Sequence, residues 1–426
     1  MIINQSFKES LLLYLKPKML AILCLGFASG LPLALTASTL SVWLAEAGVS
    51  KSAIGLFAAV ATPYAFKFLW SPLVDGFRVP ILCRLLGRRR GWLFATQLFL
   101  IAALLALGFA DPAIDPWVTA LAALMVAIGS ATQDIVIDAY RVEILKPEEQ
   151  GAGAASVVLG YRFGMIASSA GALFLAGAVG WTMTYFTMGL LLLIGMAAAM
   201  WIGEPEGSTE KTAEQKERSS AIRWLREHVI APFADFMKRE QWLAILLFIL
   251  LYKLADAFIG IMTNPFLLEV GFSKEQIAAV VKLYGLFATI IGTFIGGALV
   301  YRLGIMRSLW IGGFAHGFTN LLFVWQAQAG ADVSVLAVVI TAENLFGGLG
   351  TAAFVAYISS LTNVQFTATQ YALLSSFASF GRTTFSTPAG WVADTLGWEL
   401  FFMFSALLAI PGLVVLWWMG RNNLRA

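Results

Sequence analysis

Charge is scarce in this sequence. Asp, Glu, Lys and Arg supply only 12% of its 426 residues, about half the share found in a soluble domain. Apolar residues make up 59%, and mean hydropathy is +0.80. No water-facing fold buries that excess, so a string of soluble domains is excluded and the chain is expected to dissolve in lipid. The formal net charge of +3 argues against a nucleic-acid partner. Histidine and cysteine are nearly absent, with two of each. Cys24 and Cys83 form no CxxC, so neither a disulfide framework nor a metal site is readable from them. An enzyme would need a nucleophile–base pair or clustered metal ligands, and the sequence offers neither. No cleavable leader is expected either: the apolar run from Met19 is long, follows Lys16-Pro17-Lys18 and shows no convincing small-residue cleavage site.

Long apolar runs are what the chain has in abundance. At about 20 residues per crossing, twelve spans are expected, at roughly 17–46, 51–76, 91–110, 116–141, 152–177, 179–203, 242–268, 274–301, 307–328, 333–360, 366–393 and 397–420. One polar stretch, Glu204 to Glu240, interrupts them. Within it, Ala221 to Lys238 reads as a short amphipathic helix lying on the membrane surface. The chain thus divides into a six-span bundle (1–203), a linker (204–240) and a second six-span bundle (241–426). Of the 28 Lys and Arg, 21 fall on the tails and even-numbered connections. The opposite side has only Lys51 and Lys274. That bias places both termini and the linker in the cytoplasm.

The halves repeat. Leu44-Ala45-Glu46-Ala47-Gly48-Val49-Ser50-Lys51 with Ile54 matches Leu267-Leu268-Glu269-Val270-Gly271-Phe272-Ser273-Lys274 with Ile277. Gln150 and Arg162 match Gln370 and Arg382 at the same internal spacing. An offset of half the chain, carried by an even number of spans, gives two bundles of equal orientation. That is the parallel-repeat layout of major facilitator transporters, an all-α membrane fold whose substrate site lies between the halves near mid-membrane. Asp75 followed by Gly87-Arg88-Arg89-Arg90 is a weak form of that superfamily's loop motif. Gly297, Arg302, Gly304 and Arg307 echo it. By resemblance these charges, with Arg141, latch the cytoplasmic gate; setting topology is the other account of the arginines.

Five cations fall inside spans: Lys67, Arg162, Lys253, Lys282 and Arg382. The deep anions are Asp134, Asp256 and Glu343, with Asp138 one turn nearer the cytoplasm. A mid-membrane charge costs about 2.5–3.5 kcal/mol even on the mildest scale, so such groups face the bundle interior. A cationic surplus there favours an anionic substrate. Lys67 and Lys282, in equivalent spans, make a natural carboxylate clamp. Lys253 and Asp256 are spaced i,i+3 and either neutralise each other or meet the substrate. Asp134 and Asp138, spaced i,i+4, suggest a proton carrier, with Glu343 as the partner of Asp134 and Asp256 a further candidate. Tyr64, Trp70 and Tyr161 offer aromatic faces for a sugar ring, or serve packing. His316, on a span expected to be peripheral, reads as a packed neutral side chain. His228 carries no signal.

These stretches resemble the AmpG-type muropeptide permeases of the major facilitator superfamily. The likeness rests on Gly26-Phe27-Ala28-Ser29-Gly30-Leu31-Pro32, Phe66-Lys67-Phe68-Leu69-Trp70-Ser71-Pro72, Gln133-Asp134-Ile135-Val136 and Gly160-Tyr161-Arg162. In the second half it rests on Leu251-Tyr252-Lys253-Leu254 with Asp256, Glu343-Asn344-Leu345 and Ala368-Thr369-Gln370. The resemblance adds Gln133 and Asn344 to the substrate-binding candidates. It implies a monomeric, proton-driven importer of the Gram-negative inner membrane, needing no cofactor beyond the proton motive force. Its substrates are N-acetylglucosaminyl-1,6-anhydro-N-acetylmuramic acid and peptide-bearing forms, taken up for peptidoglycan recycling and, in many hosts, β-lactamase induction. Some members carry further C-terminal spans, which this chain, stopping after span 12, is expected to lack. A transporter of another anionic solute, such as acetyl-coenzyme A, is the competing reading.

Overall fold

The computed structural model describes residues 12–49, 57–205, 226–386 and 388–421, and within them the apolar runs become helices. They are α1 (Pro17–Glu46), α2 (57–76), α3 (Arg88–Phe109), α4 (Pro116–Ile144), α5 (150–179), α6 (181–202), α7 (Trp242–Val270), α8 (274–303), α9 (Ile305–Ala329), α10 (Val333–Ser360), α11 (Thr367–Ser386, then Ala389–Leu396) and α12 (Trp398–Arg421). The continuous helical run Pro147–Ile202, 56 residues long, turns back at Gly180 (φ 79°) and so supplies both α5 and α6. Large apolar side chains such as Phe109, Trp117, Phe174, Trp201 and Trp391 point outward, as a lipid-facing surface requires.

The sequence repeats become repeated local structures. α1 and α7 both end on a left-handed glycine, Gly48 (φ 77°) and Gly271 (φ 109°), a conformation that only glycine adopts without a Cβ clash. Past each glycine the chain folds back identically: Val49 N–H donates to Leu44 O and Phe272 N–H to Leu267 O, both at 3.0 Å. α4 and α10 both start on an aspartate cap. Asp115 accepts from the amides of Trp117 and Val118, and Asp332 from those of Ser334 and Val335. Ser50, Lys51 and Ile54 of the repeat lie outside the described residues.

Two spans are broken where they carry cations. Pro63 and Pro72 remove ladder hydrogen bonds from α2, which becomes short helical pieces with Lys67 in a 3₁₀ turn between them. α7 is interrupted at Lys253 itself (φ −101°, ψ 10°). Both lysines therefore leave the regular ladder and reach inward.

The linker departs from expectation. Its described helix runs over 226–237, and Ala221 to Leu225 of the expected helix lie outside the described residues. One apolar side chain of this helix docks on the protein: Phe236 is buried in the cluster with Phe248, Tyr357 and Leu361, while Ile230 and Met237 stay exposed. Asp235 accepts from Gln370 Nε2 at 2.9 Å, and Gln370 also reaches Pro232 O.

Candidate substrate cavity and gate

At the centre of the molecule α5, α7, α8, α10 and α11 surround a cavity of about 400 Å³, a volume typical of small-molecule sites. Its wall carries Arg162, Lys253, Asp256, Glu343, Asn344 and Arg382. The two arginines occupy repeat-equivalent positions, twelve residues past Gln150 and Gln370. Each is exposed to the cavity, and neither lies within salt-bridge distance of an acid among the described residues. Two cations facing one cavity give it the sign that suits an anion.

Lys253 is differently placed. Its ammonium lies 2.6 Å from Asp256 Oδ2 and 3.0 Å from Thr351 Oγ1, so the i,i+3 pair forms and still borders the cavity. The other oxygen of Asp256 contacts His316 Nε2 from α9. The expectation for His316 is thus corrected: its ring turns inward onto a charged pair rather than packing among apolar side chains. Glu343 accepts from Asn344 Nδ2 at 2.7 Å, and Thr289 Oγ1 donates to Asn344 Oδ1 at 2.8 Å, fixing both on the wall.

The N-terminal half holds a second charged cluster. Lys67 Nζ is 4.0 Å from Asp138, while Asp134 accepts from Ser29 Oγ at 2.5 Å. Tyr64 and Tyr161 lie in the electrostatic neighbourhood of Asp134. Gln133 does not join this group. It is fully buried with its amide donated to Ala28 O at 2.9 Å, so it ties α4 to α1 and presents nothing to a substrate. Trp70 is likewise engaged, donating to Thr132 Oγ1. The side chain of Lys282 lies outside the described residues.

Below the cavity, at the arginine-rich end, the halves lock together. Asp75 of α2 accepts from Thr369 N at 2.8 Å and Thr369 Oγ1 at 2.7 Å, across the two halves. Arg89, fully buried, holds Asp75 at 2.8 Å and also pairs with Glu143, with Arg88 beside them. Burying such charges costs several kcal/mol per ion, roughly, unless each is matched as here. Arg141 crosses to Ser359 Oγ at 3.0 Å and stacks over Tyr371, 5.4 Å from its ring centre. Tyr14 adds a bond to Phe294 O. Arg90 stands apart, against Met200, with its amide capped by Glu204. The echo in the second half forms no such latch: Arg302 and Arg307 make no ion pair among the described residues. Among those residues, every hydrogen bond between the halves lies at this end.

The Major Facilitator Superfamily profile matches residues 22–338. The fold superposes on the proton:xylose symporter XylE bound to 6-bromo-6-deoxy-D-glucose (TM-score 0.66, 14% identity, 98% of this chain and 96% of that one). It also superposes on the human organic anion transporter MFSD10 (TM-score 0.64, 13% identity, 97% and 100%). In sequence the chain is 42% identical over 413 residues to the anhydromuropeptide permease of Escherichia coli strain K12, covering 96% of this chain and 81% of that protein. The chain therefore belongs to the Major Facilitator Superfamily, within its AmpG-type permease family. It is a multi-pass membrane transporter, not an enzyme.

Proposed function

We propose that this transporter imports anhydro-muropeptides from periplasm to cytoplasm, driven by protons moving the same way. The observation that carries this reading is the pair Arg162 and Arg382, repeat-related cations that face one cavity and lack acidic partners among the described residues. Muropeptides present carboxylates on a sugar-and-peptide frame, and the kinship to a named anhydromuropeptide permease selects them among anionic solutes. The arginine-rich end faces the cytoplasm by the positive-inside rule. Its closure then leaves the cavity facing the periplasm, the receiving state of an alternating-access cycle. Asp134 and Glu343 are the carboxylates the proton visits, the first deep in the N-terminal cluster, the second on the cavity wall. Lys67 with Tyr64 and Tyr161 line the approach in the N-terminal half. The protein works as a monomer in the inner membrane.

The test is uptake into proteoliposomes carrying an inward proton gradient. Labelled anhydro-disaccharide should accumulate, and unlabelled disaccharide should compete. Competition by coenzyme A instead, with no muropeptide accumulation, would overturn the substrate assignment in favour of another anion.

A further inference from the structure

His316 is a ring that no transport step described so far uses. Its Nε2 faces Asp256 Oδ1, so the ring hydrogen points there and Nδ1 keeps its lone pair. Nδ1 is buried and has no hydrogen-bond partner among the described residues. Beside the ring, with Lys253 and Asp256, lies a void of about 10 Å³, room for about one water molecule. On its other side stands Gly347, which also forms part of the wall of the substrate cavity. A methyl group added at Gly347 would sit 3.8 Å from Nδ1. Gly347, which has no side chain, therefore stands both beside this nitrogen and on the cavity wall.

Among the described residues, few charged and titratable groups surround His316. α7 brings Tyr252, Lys253 and Asp256, α10 brings Glu343, and α12 brings only Ala409 and Leu413. The Tyr252 hydroxyl is committed to Leu309 O at 3.0 Å. One carboxylate, Asp256, is thus shared between His316 on one oxygen and Lys253 on the other. It balances a single cation in full.

We propose that His316 takes up the coupling proton at Nδ1 and thereby hands Lys253 to the substrate. With His316 neutral, Asp256 holds Lys253. A proton delivered by water from the cavity forms a new N–H bond on the Nδ1 lone pair, and no covalent bond in the protein breaks. Asp256 then balances the imidazolium, and Lys253, already on the cavity wall, becomes a third cation beside Arg162 and Arg382. Proton and anion thus bind cooperatively, which is what symport requires. This deepens the transport reading above and rests on it.

Two measurements test it on the full chain in lipid nanodiscs and proteoliposomes. The first needs no substrate. With two histidines in the chain, ¹⁵N-histidine labelling gives two pairs of ring-nitrogen signals, and His316→Gln removes one pair and so assigns both. The ring is followed over a pH window from 8 to 5: a proton arriving on Nδ1 of His316 supports the proposal, and a ring that stays in one state throughout overturns it. The second follows affinity for the anhydro-disaccharide. In the wild type it should fall about tenfold as pH rises across that window, a coupling of ordinary size. In His316→Gln it should be flat within about twofold, while exchange of substrate for substrate persists. A variant that keeps the wild-type pH dependence of affinity overturns the proposal. A wild-type protein whose His316 titrates but which binds no muropeptide refutes the substrate assignment and leaves the proton site standing.

Discussion

Asp75 and Thr369 lie 294 positions apart, yet the Asp75 carboxylate takes both the amide hydrogen and the hydroxyl of Thr369, at 2.8 and 2.7 Å. The bond joins the end of α2 to the start of α11, one element from each bundle, at the closed end of the cavity. Alternating access has to break it. Thr369→Val removes the hydroxyl bond and leaves Arg89 and Glu143 matched. A hydrogen bond to a charged group is worth about 1.5–3 kcal/mol, so the variant should shift the gate roughly 10- to 100-fold toward opening. Spin labels on the exposed positions Leu85 and Val364, one per half, should report a longer distance than in the unmutated gate. An unchanged distance distribution would show that the latch does not hold the closed state.

Arg162→Ala and Arg382→Ala should each cut uptake of anhydro-disaccharide by at least about tenfold, the loss expected for one charge-assisted partner. Because both side chains face the cavity without an acidic partner, neither change should lower thermal stability appreciably. Uptake kinetics and melting of the purified protein, measured together, separate lost binding from lost folding. Wild-type uptake by both variants would remove the arginines from the site.

Asp134→Asn keeps the shape of the side chain and its contact with Ser29 while deleting its charge and its proton. Gradient-driven accumulation should vanish and substrate exchange should continue. The pH dependence of affinity, assigned above to His316, should survive this change. Accumulation at wild-type level would move the N-terminal proton site elsewhere.

What the sequence disclosed depended on distance along the chain. Gly48 with Gly271, and Arg162 with Arg382, were legible because duplication writes the same residue twice at a fixed offset. Arg89 was legible as one of three adjacent arginines, but its role was not. Only the fold buries Arg89 between Asp75 and Glu143 while leaving Arg90 at the rim. Thr369 was legible only as part of the motif Ala368-Thr369-Gln370; its bond to Asp75 was not, since that partner sits in the other half. His316 was misjudged because the inward face of α9 depends on how that helix is rotated, and an almost uniformly apolar helix gives no stripe to read. Gln133 entered through the family motif Gln133-Asp134-Ile135-Val136, and only the fold shows its amide given to a backbone carbonyl.

The linker helix offers the last test. Gln370, the repeat partner of Gln150, donates to Pro232 O at 3.1 Å and to Asp235 at 2.9 Å, and accepts from the Asn363 amide at 2.7 Å. These bonds hold the linker against the start of α11, one residue from the Asp75 latch, while the adjoining 226–230 turn lies against the end of α2. A helix that touches both halves at the closed gate must release one of them for the gate to open. Gln370→Ala removes the side-chain bonds but leaves Phe236 in its apolar seat, so the helix should stay docked yet open more often. Hydrogen exchange across residues 226–237 should then speed up about fivefold or more, since each lost hydrogen bond is worth about 0.5–1.5 kcal/mol. Exchange at the wild-type rate would show that burial of Phe236 alone fixes the linker.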